Sequence, residues 1–211
     1  MTIVSIKSGT GSEVKRIELS DGSFFSFKTC YVPPAFIDET LYSPGMAEGR
    51  EISAAEEEAL RFASACLRAE KTALRLIARA EQCRFGLARK LERRGYESAC
   101  ANAALSRLVE LEFVDDRRFA RLWLESALRL TRSPRRLLAS LCSRGIEQDD
   151  AQTALKAVLD AETEWSLLSR FTEKLKRLRK GADEAGIRSL KYLLKSEGFS
   201  GAAIQRYFEG E

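Results

Sequence analysis

Apolar residues recur along this chain in a pattern that is written three times. Two leucines four residues apart are followed, after four more residues, by a glycine and then by another apolar residue. The copies are Leu87-Leu91-Gly95-Tyr96, Leu137-Leu141-Gly145-Ile146 and Leu190-Leu194-Gly198-Phe199, and the second and third begin 50 and 53 residues after the one before. Leucines at this spacing share one helix face, and glycine readily takes the left-handed conformation that ends a helix. The sequence therefore predicts one helix-turn-helix core repeated three times.

The middle copy divides most clearly into helices. The pattern predicts a first helix from Asp115 or Asp116, a second after the N-cap Ser133 with Pro134 in its first turn, and a third after Asp149. The core positions expected here are Phe119, Trp123, Ala127, Leu130, Ala151, Leu155, Val158 and Leu159. The last copy repeats the plan, with core positions expected at Trp165, Leu168, Phe171, Leu175, Leu178, Leu190, Leu194, Ile204 and Phe208. Each copy thus reads as a three-helix unit.

The beginning of the chain follows a different period. Short alternating runs at 4–6, 14–19 and 25–27 predict a small antiparallel sheet, with turns at Gly9-Thr10-Gly11 and Asp21-Gly22. Pro33-Pro34 and Ser43-Pro44-Gly45 interrupt regular structure. Ser53 and Glu56 then form a capping-box pattern that opens helical sequence over 54–80, as one bent helix or two.

These patterns together predict a mainly α-helical protein. We expect tandem three-helix repeats in an elongated, curved array, preceded by a small β-rich N-terminal segment. The predicted boundaries are 1–52 for the β-rich segment, then 53–114, 115–160 and 161–211 for the three helical repeats.

Composition narrows the classes of function. The 211 residues include no histidine, which removes the commonest general base and most zinc and haem ligand sets, and the five cysteines form no C-x-x-C pair. The cysteines are expected to be small core residues, and the paired acids Asp115-Asp116 and Asp149-Asp150 to cap helices rather than to catalyse. We therefore expect no enzyme, no metal and no cofactor. Without a signal-peptide pattern or a long apolar run, the expected compartment is the cytoplasm, away from membranes.

Charge is concentrated in the middle of the chain. Residues 61–145 carry nineteen basic and nine acidic side chains, whereas residues 1–60 carry five and ten and residues 146–211 carry eleven and twelve. A surface of that sign attracts a polyanion, such as nucleic acid or an acidic protein groove.

The position of each cation within its helix refines this expectation. Arg93 and Arg94 precede a helix-ending glycine, where the carbonyl end of a helix favours cations without any ligand. Arg135 and Arg136, by contrast, fall in the first turn of a predicted helix, against the dipole. With the nearby Arg132 they could bind phosphate or carboxylate at the helix N-terminus. Alternatively they pair with acids of the same repeat, for which the candidates are Asp115, Asp116 and Glu125.

Several motifs in a fixed order resemble the RecX regulatory proteins of bacteria. The resemblance is close over residues 70–160 and looser through the third repeat. The motifs are Ala73-Leu74-Arg75-Leu76-Ile77-Ala78-Arg79, Arg84 with Leu87, Lys90-Leu91, Arg93-Arg94-Gly95-Tyr96, Leu108-Val109-Glu110, Asp115-Asp116-Arg117-Arg118-Phe119-Ala120, Ser133-Pro134-Arg135-Arg136-Leu137, Leu141 and Arg144-Gly145-Ile146.

The resemblance implies a monomeric regulator that binds the groove of the RecA–DNA filament. Such a protein would modulate, most often inhibit, RecA ATPase, strand exchange and co-protease activity, and would touch single- or double-stranded DNA weakly through phosphates. The implied RecA- or DNA-binding residues are Arg84, Arg93, Arg94, Arg117, Arg118, Arg132, Arg135, Arg136 and Arg144. Arg117 and Arg118 are equally open to a structural role. The alternative is a stand-alone helical repeat protein that binds nucleic acid without sequence preference, because segment 147–160 offers mainly acidic and apolar residues to base edges.

Overall fold

A computed structural model describes residues 1–8, 13–33, 48–178 and 184–210, which form three strands and nine α-helices. The strands are β1 (Ile3–Ser8), β2 (Val14–Leu19) and β3 (Phe24–Lys28). The helices are α1 (Ala54–Ile77), α2 (Arg84–Glu92), α3 (Ser98–Glu110), α4 (Asp116–Ala127), α5 (Pro134–Cys142), α6 (Gln148–Val158), α7 (Ala161–Leu178), α8 (Glu184–Ser196) and α9 (Gly201–Glu209). The chain divides into two compact units, unit 1 (Met1–Val114) and unit 2 (Asp115–Glu211). The predicted mainly α-helical class with a small N-terminal sheet is confirmed.

The N-terminal sheet is antiparallel, with the strand order β1-β2-β3. The predicted hairpin between β2 and β3 is present: Gly22 has φ +80°, and the Asp21 carboxylate accepts the Ser23 N–H at 2.9 Å and its hydroxyl at 2.7 Å. The other predicted interruptions, Gly9-Thr10-Gly11, Pro34 and Ser43-Pro44-Gly45, lie outside the described residues.

One face of the sheet packs against α1. The buried residues of this core include Ile3, Ile6, Ile17, Leu19, Phe27, Leu60, Ala63 and Cys66. Full burial of an aliphatic or aromatic side chain contributes about 1.5–3 kcal/mol, so the sheet and α1 stabilise each other. The β-rich segment is therefore part of the folded body of unit 1.

A polar cluster fastens the end of the sheet to the helices. The Glu70 carboxylate, on α1 and 3% exposed, accepts hydrogen bonds from Lys28 Nζ at 2.6 Å and from the Tyr31 hydroxyl at 2.5 Å. Glu13 pairs with Arg107 of α3 at 2.6 Å and with Lys28 at 3.3 Å. Burial and the hydrogen bond to Glu70 raise the pKa of Tyr31, whereas Arg107 and Lys28 lower the pKa of Glu13. The buried Glu70 carboxylate thus has both a charged and a hydroxyl partner.

Helix α1 is a single helix of 24 residues, which resolves the two possibilities left by its sequence. The predicted capping box is present: the Ser53 hydroxyl accepts the Glu56 N–H at 3.2 Å, and the Glu56 carboxylate accepts the Ser53 N–H at 2.7 Å. The last part of α1 packs with α2 and α3 around a core that includes Ala73, Leu87 and Leu105.

The repeated glycines end their helices in the same way. Gly95 has φ +84° and donates to the Glu92 carbonyl at 2.9 Å, while Tyr96 donates to the Leu91 carbonyl at 3.3 Å. This is the Schellman geometry. Gly145 and Gly198, with φ +83° and +89°, are followed by the same hydrogen bonds from Ile146 to Leu141 and from Phe199 to Leu194. The three copies of the motif therefore share one helix-ending structure.

The buried face of α4 agrees with the prediction at Ala127 and differs from it at the other positions. The side chains in the core are Ala120, Leu124 and Ala127, whereas Trp123 is half-buried and Leu130 is 52% exposed. The predicted stripe through Phe119 and Trp123 is thus rotated by one residue. Helix α4 packs mainly against α6, and the buried row of α4 combines two alanines with one leucine.

The helix starts in the second repeat agree with the sequence in two cases of three. Asp115 caps α4 by accepting the N–H groups of Arg117 and Arg118, and Ser133 caps α5 with Pro134 in its first turn. Helix α6 begins earlier than predicted, at Gln148. Asp149 and Asp150 therefore lie within its first turn, where the helix dipole favours their negative charges, and neither of them caps the helix. Their predicted position before the helix was wrong. Its buried residues are Ala151, Ala154 and Leu155.

The third repeat has a core centred on Leu167, Leu168 and Phe171 of α7, with Leu194, Phe199 and Ile204 from the segments that follow. The Phe171 and Phe199 rings lie 5.5 Å apart. Several predicted core residues are only half-buried, namely Trp165, Leu175, Leu190 and Phe208, and the side chain of Leu178 lies outside the described residues. Aromatic side chains at the rim of so small a core remain in partial contact with water.

The cysteines are all free, and only three lie in the core. Cys66, Cys83 and Cys100 are buried as predicted, whereas Cys30 and Cys142 are exposed, so the core prediction was wrong for these two. Cys30 lies in the turn after β3, and Cys142 is the last residue of α5. Burial raises the pKa of the Cys66 thiol.

Candidate functional site

The first turn of α5 carries the two arginines that the sequence placed against the helix dipole. Ser133 precedes the helix, and its hydroxyl accepts the Arg136 N–H at 3.4 Å. The Arg135 N–H donates to the carbonyl oxygen of Glu197, at 2.9 Å. Both arginine side chains are exposed, Arg136 to 70%. The fold thus uses the backbone of this turn and leaves both guanidinium groups at the surface.

Glu197 is the acid that faces this turn. Its carboxylate accepts the hydroxyl of the fully buried Ser133 and lies 4.0 Å from Arg136 Nε. The next residue, Gly198, is so close that an added Cβ would lie 3.3 Å from the Arg135 nitrogen. The sequence left open whether these arginines bind an external anion or pair with an acid of their own repeat. The structure shows an acid partner, but it is Glu197 of the third repeat and not Asp115, Asp116 or Glu125. The N-terminus of α5 is therefore already occupied by an internal anion.

Two further candidates flank α5. Arg132 is half-buried just before the helix. Arg144, just after it, donates to the Ser140 carbonyl at 2.6 Å, and its guanidinium lies 4.6 Å from the centroid of the Trp123 ring. A guanidinium over an indole face is held by cation–π attraction, so Arg144 has a fixed orientation.

The arginines of α4 line an open groove of about 490 Å³ between α4 and α6. Arg117 Nε lies 2.8 Å from an Asp150 oxygen, although the Arg117 side chain is 80% exposed. Arg118 and Arg121 line the same groove, with Asp115 at its edge. An exposed pair of this kind contributes little to stability, so Arg117 can exchange its partner for an external anion at small cost.

The three candidates in unit 1 lie at the two ends of α2. Arg84 begins the helix and donates to the Ser106 hydroxyl at 3.4 Å, while Arg93 and Arg94 follow its end. Arg94 donates to the Lys90 carbonyl at 2.8 Å, as expected for a cation at a helix C-terminus. Helical rise separates the ends of α2 by roughly 14 Å, so these arginines form two places rather than one. The nine candidates are therefore distributed over both units.

Sequence reasoning missed a second group of exposed cations, on α1 and the turn that follows it. They are Arg61, Arg68, Lys71, Arg75 and Arg79, called here the α1 basic face. The spacing 61, 68, 75 and 79 is a helical period that could have been read from the sequence. Arg75 and Arg79 also occur in the first motif that resembles the RecX family, but that motif did not identify them as part of a basic surface.

The remaining chemistry of the described residues is limited. Within residues 1–8, 13–33, 48–178 and 184–210, no group of three or more cysteine, aspartate or glutamate side chains could hold a metal ion. None of the helices there is long and apolar enough to cross a membrane.

The fold places the chain among proteins built of tandem three-helix domains. Residues 69–108 match the family model described as RecX, first three-helix domain, and residues 115–155 match RecX, second three-helix domain. The chain is 34% identical over 149 residues to the regulatory protein RecX of Treponema pallidum (strain Nichols), covering 70% of this chain and 88% of that protein. It is 26% identical to the regulatory protein RecX of Caldanaerobacter subterraneus subsp. tengcongensis over 168 residues, covering 80% and 83%. The chain belongs to the RecX family of regulatory proteins.

Solved structures agree in fold. A crystal structure of regulatory protein RecX superposes with a TM-score of 0.70 at 18% identity, covering 97% of both chains. The RecX of Lactobacillus salivarius superposes with a TM-score of 0.55 at 17% identity, covering 69% of this chain and 95% of that one. At such identities the likeness concerns the architecture alone.

Proposed function

We propose that this protein binds in the groove of the RecA–DNA filament and inhibits RecA ATPase, strand exchange and co-protease activity. In this proposal it acts as a monomer in the cytoplasm, uses no cofactor, and touches single- or double-stranded DNA weakly through phosphates. The observation that carries the proposal is the first turn of α5, where Arg135 and Arg136 extend into solvent from a backbone fixed by Ser133 and Glu197.

A fixed backbone favours binding because less conformational freedom is lost when the partner arrives. The Arg135 N–H and the Ser133 hydroxyl are both engaged within unit 2, so only the guanidinium groups remain to meet a partner. A guanidinium matches carboxylate and phosphate geometry equally well. This turn can therefore bind either an acidic protein surface or DNA phosphates.

The proposal also assigns a role to each segment of the chain. We assign 1–52 to the β-rich segment and 53–114, 115–160 and 161–211 to the three repeats. Repeats in series present several weak contacts to a repeating filament, and linked contacts raise overall affinity. The remaining candidates, Arg84, Arg93, Arg94, Arg117, Arg118, Arg132 and Arg144, are proposed as those secondary contacts.

The test is the rate of ATP hydrolysis by RecA on single-stranded DNA while the full chain is added. The expected result is a rate that falls with increasing chain and reaches its lower limit near stoichiometric concentration. An unchanged rate at that concentration would contradict the proposal. A chain that binds single-stranded DNA with no RecA present and leaves the ATPase unchanged would instead act as the stand-alone nucleic-acid-binding protein.

A further inference from the structure

From residue 61 onward, the exposed side of α1 carries only cations and neutral residues. Between positions 61 and 79 the sole acid is Glu70, which is buried and bonded to Lys28 and Tyr31. Arg68, Lys71, Arg75 and Arg79 are exposed, as is Arg61 at the start of the row.

Helix geometry aligns these side chains. At 100° per residue, positions 61, 68 and 75 of α1 fall within about 40° of one another, and position 71 lies about 40° to one side. Arg79 lies in the turn two residues after the end of α1. At 1.5 Å per residue the part of the row on α1, from Arg61 to Arg75, extends for roughly 21 Å. The α1 basic face is therefore a straight positive stripe along the surface of unit 1.

Four of the five cations have no acid partner within the described part of the chain. Arg61 pairs with Glu57, one turn earlier, at 2.5 Å. The side chains of Arg68, Lys71, Arg75 and Arg79 make no salt bridge there.

Local helix electrostatics explains two of the four cations without an acid partner. Arg75 and Arg79 lie near the carbonyl end of α1, where cations are favoured. Arg68 and Lys71 lie more than a turn before that end. The spacings from 68 to 71 and from 71 to 75 also place like charges at neighbouring positions on the helix, which disfavours a helix. Helix stability alone therefore does not account for the stripe.

We infer that the α1 basic face binds the phosphodiester backbone of DNA. A DNA strand is a linear array of negative charges, and a straight stripe of arginines can follow it and contact successive phosphates. The inference extends the proposed function by giving the DNA contact a surface of its own, distinct from the first turn of α5. It requires no RecA, so the two can fail separately.

The experiment measures binding of the full chain to fluorescently labelled oligo-dT by anisotropy over a series of salt concentrations. The test variant is R68Q/K71Q/R75Q/R79Q, in which glutamine retains helix propensity and removes four charges. The control K174Q/K176Q/R177Q/K195Q removes four exposed charges from α7 and α8. If the four side chains contact phosphates, the slope of log K against log salt becomes shallower by about 3 in the test variant. The control should keep the wild-type slope.

Two outcomes would overturn the inference. Equal losses in test and control variants would mean that diffuse net charge, and not this face, attracts DNA. Unchanged DNA binding by the test variant together with weakened binding to RecA filaments would identify an acidic protein surface as the partner of α1. Circular dichroism establishes whether each variant is folded. If the fourfold variant does not fold, the double variant R68Q/K71Q replaces it, and its expected change in slope is about 1.4.

Discussion

The backbone N–H of Arg135 donates to the carbonyl oxygen of Glu197 at 2.9 Å, and the Glu197 carboxylate accepts the buried Ser133 hydroxyl. One residue of the third repeat thus supplies two acceptors to the N-terminus of α5. Unpaired N–H groups at a helix N-terminus favour negative charge, so this contact satisfies the turn that also presents the two arginines. The junction between the second and third repeats is therefore part of the proposed binding surface.

Glu197→Ala should destabilise unit 2. The variant leaves the buried Ser133 hydroxyl without its carboxylate partner, a change that costs about 1–3 kcal/mol. The measurement is urea unfolding followed by tryptophan fluorescence, because the two tryptophans, Trp123 and Trp165, both lie in unit 2. Glu197→Gln retains an acceptor and should lose less. Equal stability of wild type and Glu197→Ala would show that the contact contributes nothing.

Gly198→Ala should cost more than the equivalent change in the first repeat, Gly95→Ala. Both glycines have positive φ, so each alanine costs about 1–2 kcal/mol of left-handed strain. At Gly198 the new methyl also lies 3.3 Å from the Arg135 nitrogen, whereas at Gly95 it meets nothing within 4 Å. Tryptophan fluorescence should report the Gly198→Ala loss, and circular dichroism the smaller Gly95→Ala loss in unit 1. A reversed order would contradict the close approach of the 198 loop to α5.

R135Q/R136Q should weaken inhibition of RecA ATPase without unfolding the protein. Glutamine keeps the backbone N–H that bonds to Glu197, and the Arg136 side chain is too exposed for its ion pair to contribute much stability. We expect the half-inhibitory concentration to rise roughly tenfold, equivalent to about 1.4 kcal/mol. K174Q/R177Q removes the same charge from α7 and serves as the control. If R135Q/R136Q inhibits RecA ATPase as strongly as the wild type, these two arginines are not the main contact with the filament.

Unit 1 should lose stability in alkali because of Tyr31. The folded protein holds the Tyr31 proton, since burial and the bond to Glu70 raise the pKa, while the unfolded chain releases it near the ordinary value of 10.0. Unfolding is therefore favoured as the pH rises above about 10. Urea unfolding by circular dichroism between pH 8 and 11 should show a steeper fall for wild type than for Tyr31→Phe. Parallel curves would mean that Tyr31 carries no such linkage.

The features that the sequence predicted well are local. The helix-ending geometry of Gly95, Gly145 and Gly198, the caps at Ser53, Asp115 and Ser133, and the Asp21-Gly22 hairpin each depend on residues within a few positions of one another. The backbone conformations these residues adopt follow from their own chemistry, so a short stretch of sequence is enough.

The features that the sequence did not predict depend on residues far apart along the chain. On α4, Phe119 with Trp123 and Ala120 with Leu124 are both apolar rows at helical spacing, and only the presence of α6 selects the second row for the core. Glu197 lies 64 residues from Ser133, and nothing in either segment indicates that they meet. Sequence periodicity describes a helix face but does not name the element that covers it.

The distribution of cysteines has a practical consequence. Cys66, Cys83 and Cys100 are buried, and the two accessible thiols, Cys30 and Cys142, fall one in each unit. Maleimide dyes react with accessible thiols and leave buried ones unmodified. The unaltered chain thus offers one attachment point per unit for a donor and acceptor pair, and energy transfer between the two dyes can be compared with and without RecA or DNA.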